Sequence, residues 1–187
     1  MNWDSFSTGQ IGSKLWLGEA LHRVYTYNSI ETPLQGLRIR VLAGWYCTTN
    51  FILRTQNLIP IAHVSSYDLD PTCEPLAVNV NRLWHWQAEF TATTADVNEL
   101  DWNEPVDLVI NTSVEHIESR EWFDRIPSGT MVAIQGNDMP HDDHVHAYSS
   151  IDDFSNSWPM SESLYTGEKS FKYPTWEFTR YMKIGHR

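Results

Sequence analysis

Short apolar and β-branched runs alternate along this chain with polar breaks at close intervals. From Gln10 to Tyr25 the residues Ile11, Leu15, Leu21 and Tyr25 recur at helical spacing, which predicts a first helix. Residues 1–8 carry no such pattern and read as loose. Thr32-Pro33 and Gly36 break the next loop. "LRIRVLAG" (37–44) then reads as a strand, and "TTNFILRTQN" (48–57) as a short helix with a Thr cap. "IPIAHVSSYDLD" (59–70) is a second strand ending in acids. Asp70-Pro71 signals a helix start, with Leu76, Val80 and Leu83 supplying its apolar face. Strands follow at 87–97 and 106–113, a short helix at 120–126, and a strand at 130–137. A helix at 150–158 precedes two final strands, 161–171 and 178–187.

Strands alternating with helices at this spacing imply βαβ units and a parallel sheet covered on both faces. The last two strands follow one another with no strong helix between them, which predicts an antiparallel edge. In an open parallel sheet, ligands bind outside the carboxyl ends of the strands. The residues just after each strand are therefore the candidate ligand contacts. They are Gly44, Trp45, Tyr46, Cys47 and Thr48; Asp68 and Asp70; Ala95 and Asp96; Asn111, Ser113, Glu115 and His116; and Gln135, Asn137 and Asp138. Five polar clusters converge on one edge.

Each cluster has a chemical reading. An acid ending the second strand can accept both hydroxyls of a ribose, and Asp68 fits that better than Asp70, which fits a helix cap. Asp96 can accept from an adenine amino group or stand as a plain surface carboxylate. Gly44 allows close approach of a ligand to the first loop. Trp45 and Tyr46 are bulky, and no G-x-G-x-x-G is present, so a dinucleotide pyrophosphate would be crowded. These two rings can face a cationic centre or pack in the core.

At 187 residues the chain fits one domain and is long enough to bury roughly 70% of its unfolded surface. Its formal net charge of -11, from 13 basic and 24 acidic residues, argues against a broad nucleic-acid-binding face. Cys47 and Cys73 are the only cysteines, which points to a reducing, cytoplasmic setting. No apolar run approaches 18 residues, and no membrane association is expected.

The ordered segments resemble the class I S-adenosylmethionine-dependent methyltransferases. "RVLAGWYCTTNFIL" (40–53) sits where that family has V-L-D-x-G-x-G-x-G, keeping only Gly44, with Ala43 near the position of the leading acid. "SSYDLDPTCEPLAVNV" (65–80) is similar to the family's V-D-I-D-P segment, with Asp68, Pro71, Ala77 and Asn79 matching. "TADVNEL" (94–100) resembles its third acidic loop, "DLVINTSVEHI" (107–117) its D-L-V-x-x-x-x-V-L-E-H-I stretch, and "IPSGTMVAI" (126–134) its L-K-P-G-G-x-L-V-I.

The resemblance implies a Rossmann-like three-layer α/β sandwich with a mostly parallel seven-stranded sheet and an antiparallel C-terminal edge. It implies a single domain, 1–187, divided into an N-terminal helical cap (1–36) and a core (37–187). The implied cofactor is S-adenosyl-L-methionine, held by Gly44, Trp45, Tyr46, Asp68, Leu69, Asp96, Val97, Asn111 and Ser113. Lys14 or Trp16, on the helix over the cofactor, can touch cofactor or substrate.

Methyl transfer needs the nucleophile and the methyl group held in line, and a base only if the nucleophile arrives protonated. Glu115 and His116 are the catalytic candidates, since an imidazole titrates near neutrality. The alternative is that the pair braces the loop and covers the cofactor. "GNDMPHDDHVHAY" (136–148) holds His141, His144 and His146 among three aspartates, residue types that suit zinc or iron. It has no complete ligand motif, so no metal is expected there. Asn137, His141 and His144 are read instead as contacts to a small-molecule substrate. Two other readings stay open: a non-catalytic S-adenosylmethionine-binding scaffold, which the degenerate first loop favours, and a metal hydrolase. Neither the acceptor nor the oligomeric state is legible.

Overall fold

The computed structural model describes residues 2–187. Strands β1 (Leu37–Leu42), β2 (Ile61–Asp68), β3 (Phe90–Thr94), β4 (Leu108–Asn111), β5 (Met131–Asn137), β6 (Glu162–Lys172) and β7 (Glu177–His186) form one sheet in the order β3-β2-β1-β4-β5-β7-β6. The first five are parallel. β7 runs antiparallel between β5 and β6. The expected mostly parallel sheet with an antiparallel C-terminal edge is present. The order reverses at β1, whose two neighbours are β2 and β4. That switch point opens a crevice at the strands' carboxyl ends.

Helices α1 (Thr8–Tyr27), α2 (Thr48–Gln56), α3 (Cys73–Val80), α4 (Arg82–Trp86), α5 (Glu121–Asp124) and α6 (Ile151–Ser157) complete the chain. The strands alternate in what they bury. Ile39, Val41, Leu108, Ile110 and Ala133 pack with Leu17, Leu21 and Val24 of α1, Leu53 of α2 and Ala77 of α3. Leu42, Val109, Val132 and Ile134 pack on the other face with Trp122 and Phe123 of α5 and Phe154 of α6. This two-residue alternation of fully buried side chains is why β4, the first part of β5 and the end of β1 read as apolar runs.

Three sequence readings are corrected. Residues 3–6 are not loose: Trp3–Phe6 form a 3-10 turn, capped by the Asn2 side chain, which accepts from the Asp4 amide. The buried stripe of α1 is Trp16, Leu17, Ala20, Leu21 and Val24, whereas Leu15 is exposed. Ile11 and Leu15 sit out of phase with that stripe, and the long helix chooses its face by what the sheet offers. On α3 the buried positions are Cys73 and Ala77, and Leu83 on α4 is exposed. Asn79 is exposed, while Asn81 is fully buried. Its side chain accepts from Asn50 at 2.9 Å and donates to the carbonyls of Cys47 at 3.2 Å and Ala77 at 2.9 Å. Asn81 thereby ties the α3–α4 junction to the loop after β1.

No helix among the described residues is long and apolar enough to cross a membrane.

Candidate active site

A cavity of about 890 Å³ opens at the carboxyl ends of the strands. Its size falls in the range of small-molecule sites. Trp45, Asp68, Leu69, Asp96, Val97, Ser113, Glu115, His116, Asn137, His141 and His144 all line it. These come from the loops after β1 to β5, brought together by the parallel order of the strands. Gly44, Tyr46 and Asn111 do not line it. Asn111 is fully buried at the end of β4, where its Oδ1 accepts the Ser113 amide at 2.9 Å. The Tyr46 hydroxyl accepts from the Asn2 amide at 3.0 Å.

The loop after β1 has an unusual backbone. Ala43, Trp45 and Cys47 have φ of 49°, 51° and 46°, in the left-handed region where glycine is the unstrained residue. Gly44 does not share it, and serves close packing instead. A Cβ there would overlap Ser66 Oγ on β2 and lie 3.3 Å from Val41. Asp68 holds the loop in place: its Oδ2 accepts the Trp45 amide at 2.7 Å and its Oδ1 accepts the Asp70 amide at 3.1 Å. Asp70 caps the turn into α3 through Thr72, whose amide and hydroxyl donate to it. Those bonds hold the Asp70 carboxyl below the usual range. Asp96 Oδ1 accepts from both the amide and the side chain of Asn98.

The turn after β4 carries the most constrained charge. Glu115 and Arg180 are both buried, with Arg180 Nη1 3.5 Å from Glu115 Oε1. Asn137 Nδ2 also donates to Oε1. Asn137 and Arg180 are register partners on β5 and β7, so the sheet itself presents both donors to Glu115. Arg180 Nη1 also donates to the Thr112 carbonyl at 3.0 Å. Glu115 Oε2 has no hydrogen-bond partner among the described residues.

The segment after β5 folds over this turn. The amides of Val145 and His146 both donate to the Glu115 carbonyl, at 2.9 and 3.2 Å. His116 and His144 meet edge to face with centroids 4.6 Å apart. His116 Nδ1 bonds the Asp143 carbonyl at 3.0 Å, and His144 Nδ1 the Met139 carbonyl at 2.7 Å. Burial holds His144 below the usual imidazole range.

Of the two α1 candidates, Lys14 lies near the crevice. It is buried and bonds Gln10 Oε1 at 2.6 Å, and Gln10 lines the cavity. Burial, with the Arg180 charge adding to it, pulls Lys14 down to about 7. Trp16 instead donates to the Tyr165 hydroxyl at 3.1 Å, against β6. Both thiols are free, and burial raises both, Cys73 up to about 12. Neither is a ready nucleophile.

The sequence reading missed Arg180, Gln10, Asn2, Asp4 and Met139 as wall residues. Arg180 carried a signal: in "FTRYMKIGH" it shares the strand phase of Met182 and Ile184, which are both fully buried. A cation at an apolar-phase position asks for a partner.

No family model matches the chain, and no curated protein matches it. Solved structures do. The plantazolicin methyltransferase BpumL, in complex with SAH, superposes with a TM-score of 0.64 at 10% identity, over 98% of this chain and 88% of its own. The YcgJ protein from Bacillus subtilis gives 0.63 at 8% identity, over 94% and 99%. The N-methyltransferase NodS from Bradyrhizobium japonicum WM9, in complex with S-adenosyl-l-homocysteine, gives 0.62 at 9% identity, over 90% and 85%. Two larger structures, from Thiobacillus denitrificans and Galdieria sulphuraria, are spanned over only 48% of their length. The chain therefore has the Rossmann-like fold of the class I S-adenosylmethionine-dependent methyltransferases.

Proposed function

We propose that this protein transfers a methyl group from S-adenosylmethionine to a small-molecule acceptor, in a reducing, cytoplasmic setting. One observation carries the reading. Asp68, Asp96 and the Glu115-His116 turn, which follow three successive parallel strands in the chain, wall a single cavity of about 890 Å³ in a fold shared with methyltransferases.

The residues fit the cofactor. Each Asp68 oxygen accepts one backbone amide, and a carboxylate oxygen can accept two donors. Asp68 therefore keeps room for two ribose hydroxyls. Asp96 commits Oδ1 to Asn98 and keeps Oδ2 for the amino group of a purine. Leu69 and Val97 add apolar wall on either side. Trp45 presents an aromatic surface on which a cationic sulfonium is stabilised.

When bound, the cofactor supplies an electrophilic methyl group. The chain supplies position. Glu115, held by Arg180 and Asn137, fixes the turn after β4. His116 carries its proton on Nδ1, because Nδ1 faces a carbonyl. Its Nε2 is then free to take a proton from an acceptor, within hydrogen-bond reach. Asn137, His141 and His144 wall the acceptor side. The net charge of -11 disfavours a polyanionic acceptor such as nucleic acid.

A second reading has its own observation. Ala43, Trp45 and Cys47 take left-handed conformations without glycine, and Asp68 already uses the Trp45 amide. A first loop without the usual glycines suits a non-catalytic scaffold that binds the cofactor without turning it over. Calorimetric titration with S-adenosylhomocysteine, then transfer of labelled methyl groups into fractionated small molecules, separates the two. Binding with transfer supports the enzyme, and binding without transfer the scaffold. Absence of binding overturns both.

A further inference from the structure

We propose that Glu115, His116 and His144 form a binding site for one divalent transition-metal ion of the zinc class in the wall of the crevice. A carboxylate oxygen of Glu115 and one ring nitrogen from each histidine lie within 4.8 Å of one another. Ligands around zinc at about 2.0–2.2 Å stand roughly 3–3.5 Å apart, so the three need close by only about 1.5 Å. His116 sits on a short turn and His144 on the loop after β5, and rotation of their side chains supplies that movement.

Three features point to an ion rather than to a chance cluster. Both histidines use Nδ1 on a backbone carbonyl, so each neutral ring carries its proton on Nδ1 and leaves Nε2 as the ligand atom. With an ion bound, His116 Nε2 is a ligand, and its role as a base belongs to the metal-free protein alone. A carbonyl on the second nitrogen is the usual outer partner of a metal-bound histidine. Glu115 is buried, and its Oε1 takes both Arg180 and Asn137. Its Oε2 has no partner among the described residues, which is costly for a buried carboxylate unless something positive meets it. Arg180 neutralises one edge of the carboxylate only, and the other edge is the one left for an ion. The paired Val145 and His146 amides on the Glu115 carbonyl then hold the third ligand's loop against the first. No complete metal motif is visible in sequence, because two ligands are adjacent and the third is distant.

His116 is exposed and His144 half-buried, so an ion held there keeps coordination positions open toward the cavity. Those positions suit an oxygen of the acceptor, a hydroxyl or a carboxylate. The acceptor class rests on the methyl-transfer reading; the binding of the ion does not.

The test uses tag-free, chelator-treated protein without S-adenosylmethionine, titrated with zinc against a chromophoric chelator. One zinc per chain is expected. His116→Ala and His144→Ala should each weaken it by about tenfold or more, while both keep their melting temperature in chelator. His146→Ala, whose ring faces the Glu118 carbonyl, should bind as the parent does. Absence of zinc uptake, unchanged affinity in both variants, or a loss in His141→Ala but not in His144→Ala overturns the site. S-adenosylhomocysteine binding, measured separately in chelator, tests the cofactor site on its own: its absence overturns the methyl-transfer reading and leaves the ion site standing.

Discussion

Arg180 Nη1 stands 3.5 Å from Glu115 Oε1, with 4% and 2% of the two residues exposed. The contact joins β7, at the antiparallel edge of the parallel strands, to the turn that follows β4. Both charges have left water, and each is tolerated only because the other is present. Asn137 completes the arrangement from the strand between.

Removing one partner should therefore cost far more than removing both. Arg180→Met and Glu115→Gln are each expected to lower unfolding free energy by about 3–5 kcal/mol, since each strands a buried polar or charged group. The double variant should recover a large part of that loss. Urea unfolding of the four proteins gives the coupling, and simple additivity would count against a true pair.

Asp68 has two tasks, and substitution should separate them. Asp68→Asn loses the charge that the Trp45 amide meets and one acceptor for a ribose hydroxyl. Hydrogen bonds to charged groups contribute about 1.5–3 kcal/mol, so S-adenosylhomocysteine should bind roughly ten- to a hundredfold more weakly. Calorimetry reads this directly. Asp70→Asn, on a residue that braces the turn before α3 outside the cavity, should leave that affinity close to the parent.

Gly44 is expected to be intolerant for a packing reason. Gly44→Ala pushes a methyl into Ser66 Oγ and should cost about 1–3 kcal/mol. Adding Ser66→Ala removes the oxygen and leaves Ser66 Cβ at 3.6 Å from the new methyl, ordinary contact. Thermal melts should show the second substitution restoring most of the loss. At Ala43, with φ 49°, the opposite holds: Ala43→Gly relieves a left-handed residue and should stabilise by about 1 kcal/mol.

Lys14 makes stability depend on pH in a stated direction. Its folded-state value, about 7, lies below the ordinary 10.5, because burial disfavours the ammonium. Below about 7 both folded and unfolded chains hold the proton, and the full cost is present. Between 7 and 10.5 the unfolded chain binds more protons, so this group's contribution to stability rises with pH. Lys14→Met removes the group, and its advantage over the parent should be greatest below pH 7 and shrink toward pH 10. The shift corresponds to roughly 3–5 kcal/mol at most. An advantage that grows with pH would contradict the assignment.

Much of the fold was legible because it depends on local pattern. Unbroken apolar runs at 41–42, 108–110 and 131–134, each bounded by polar breaks, read as strands covered on two faces, and the absence of a strong helix between 161–171 and 178–187 points to an antiparallel edge. The acids and amides following those strands were legible for the same reason, since parallel strands place all their carboxyl ends at one edge. Long-range pairing was not. The phase of α1 was decided by the sheet, which takes Leu17, Leu21 and Val24 and leaves Leu15 in water. Arg180 became a wall residue only when β7 inserted beside β5 and set it opposite Asn137. His144 came against His116 only when the loop after β5 bonded the Glu115 carbonyl. Periodicity reports what each segment buries, and so the sequence alone determined the elements and the edge at which ligands meet them. Which charges face each other there depends on register between distant strands, and only the tertiary structure decides that.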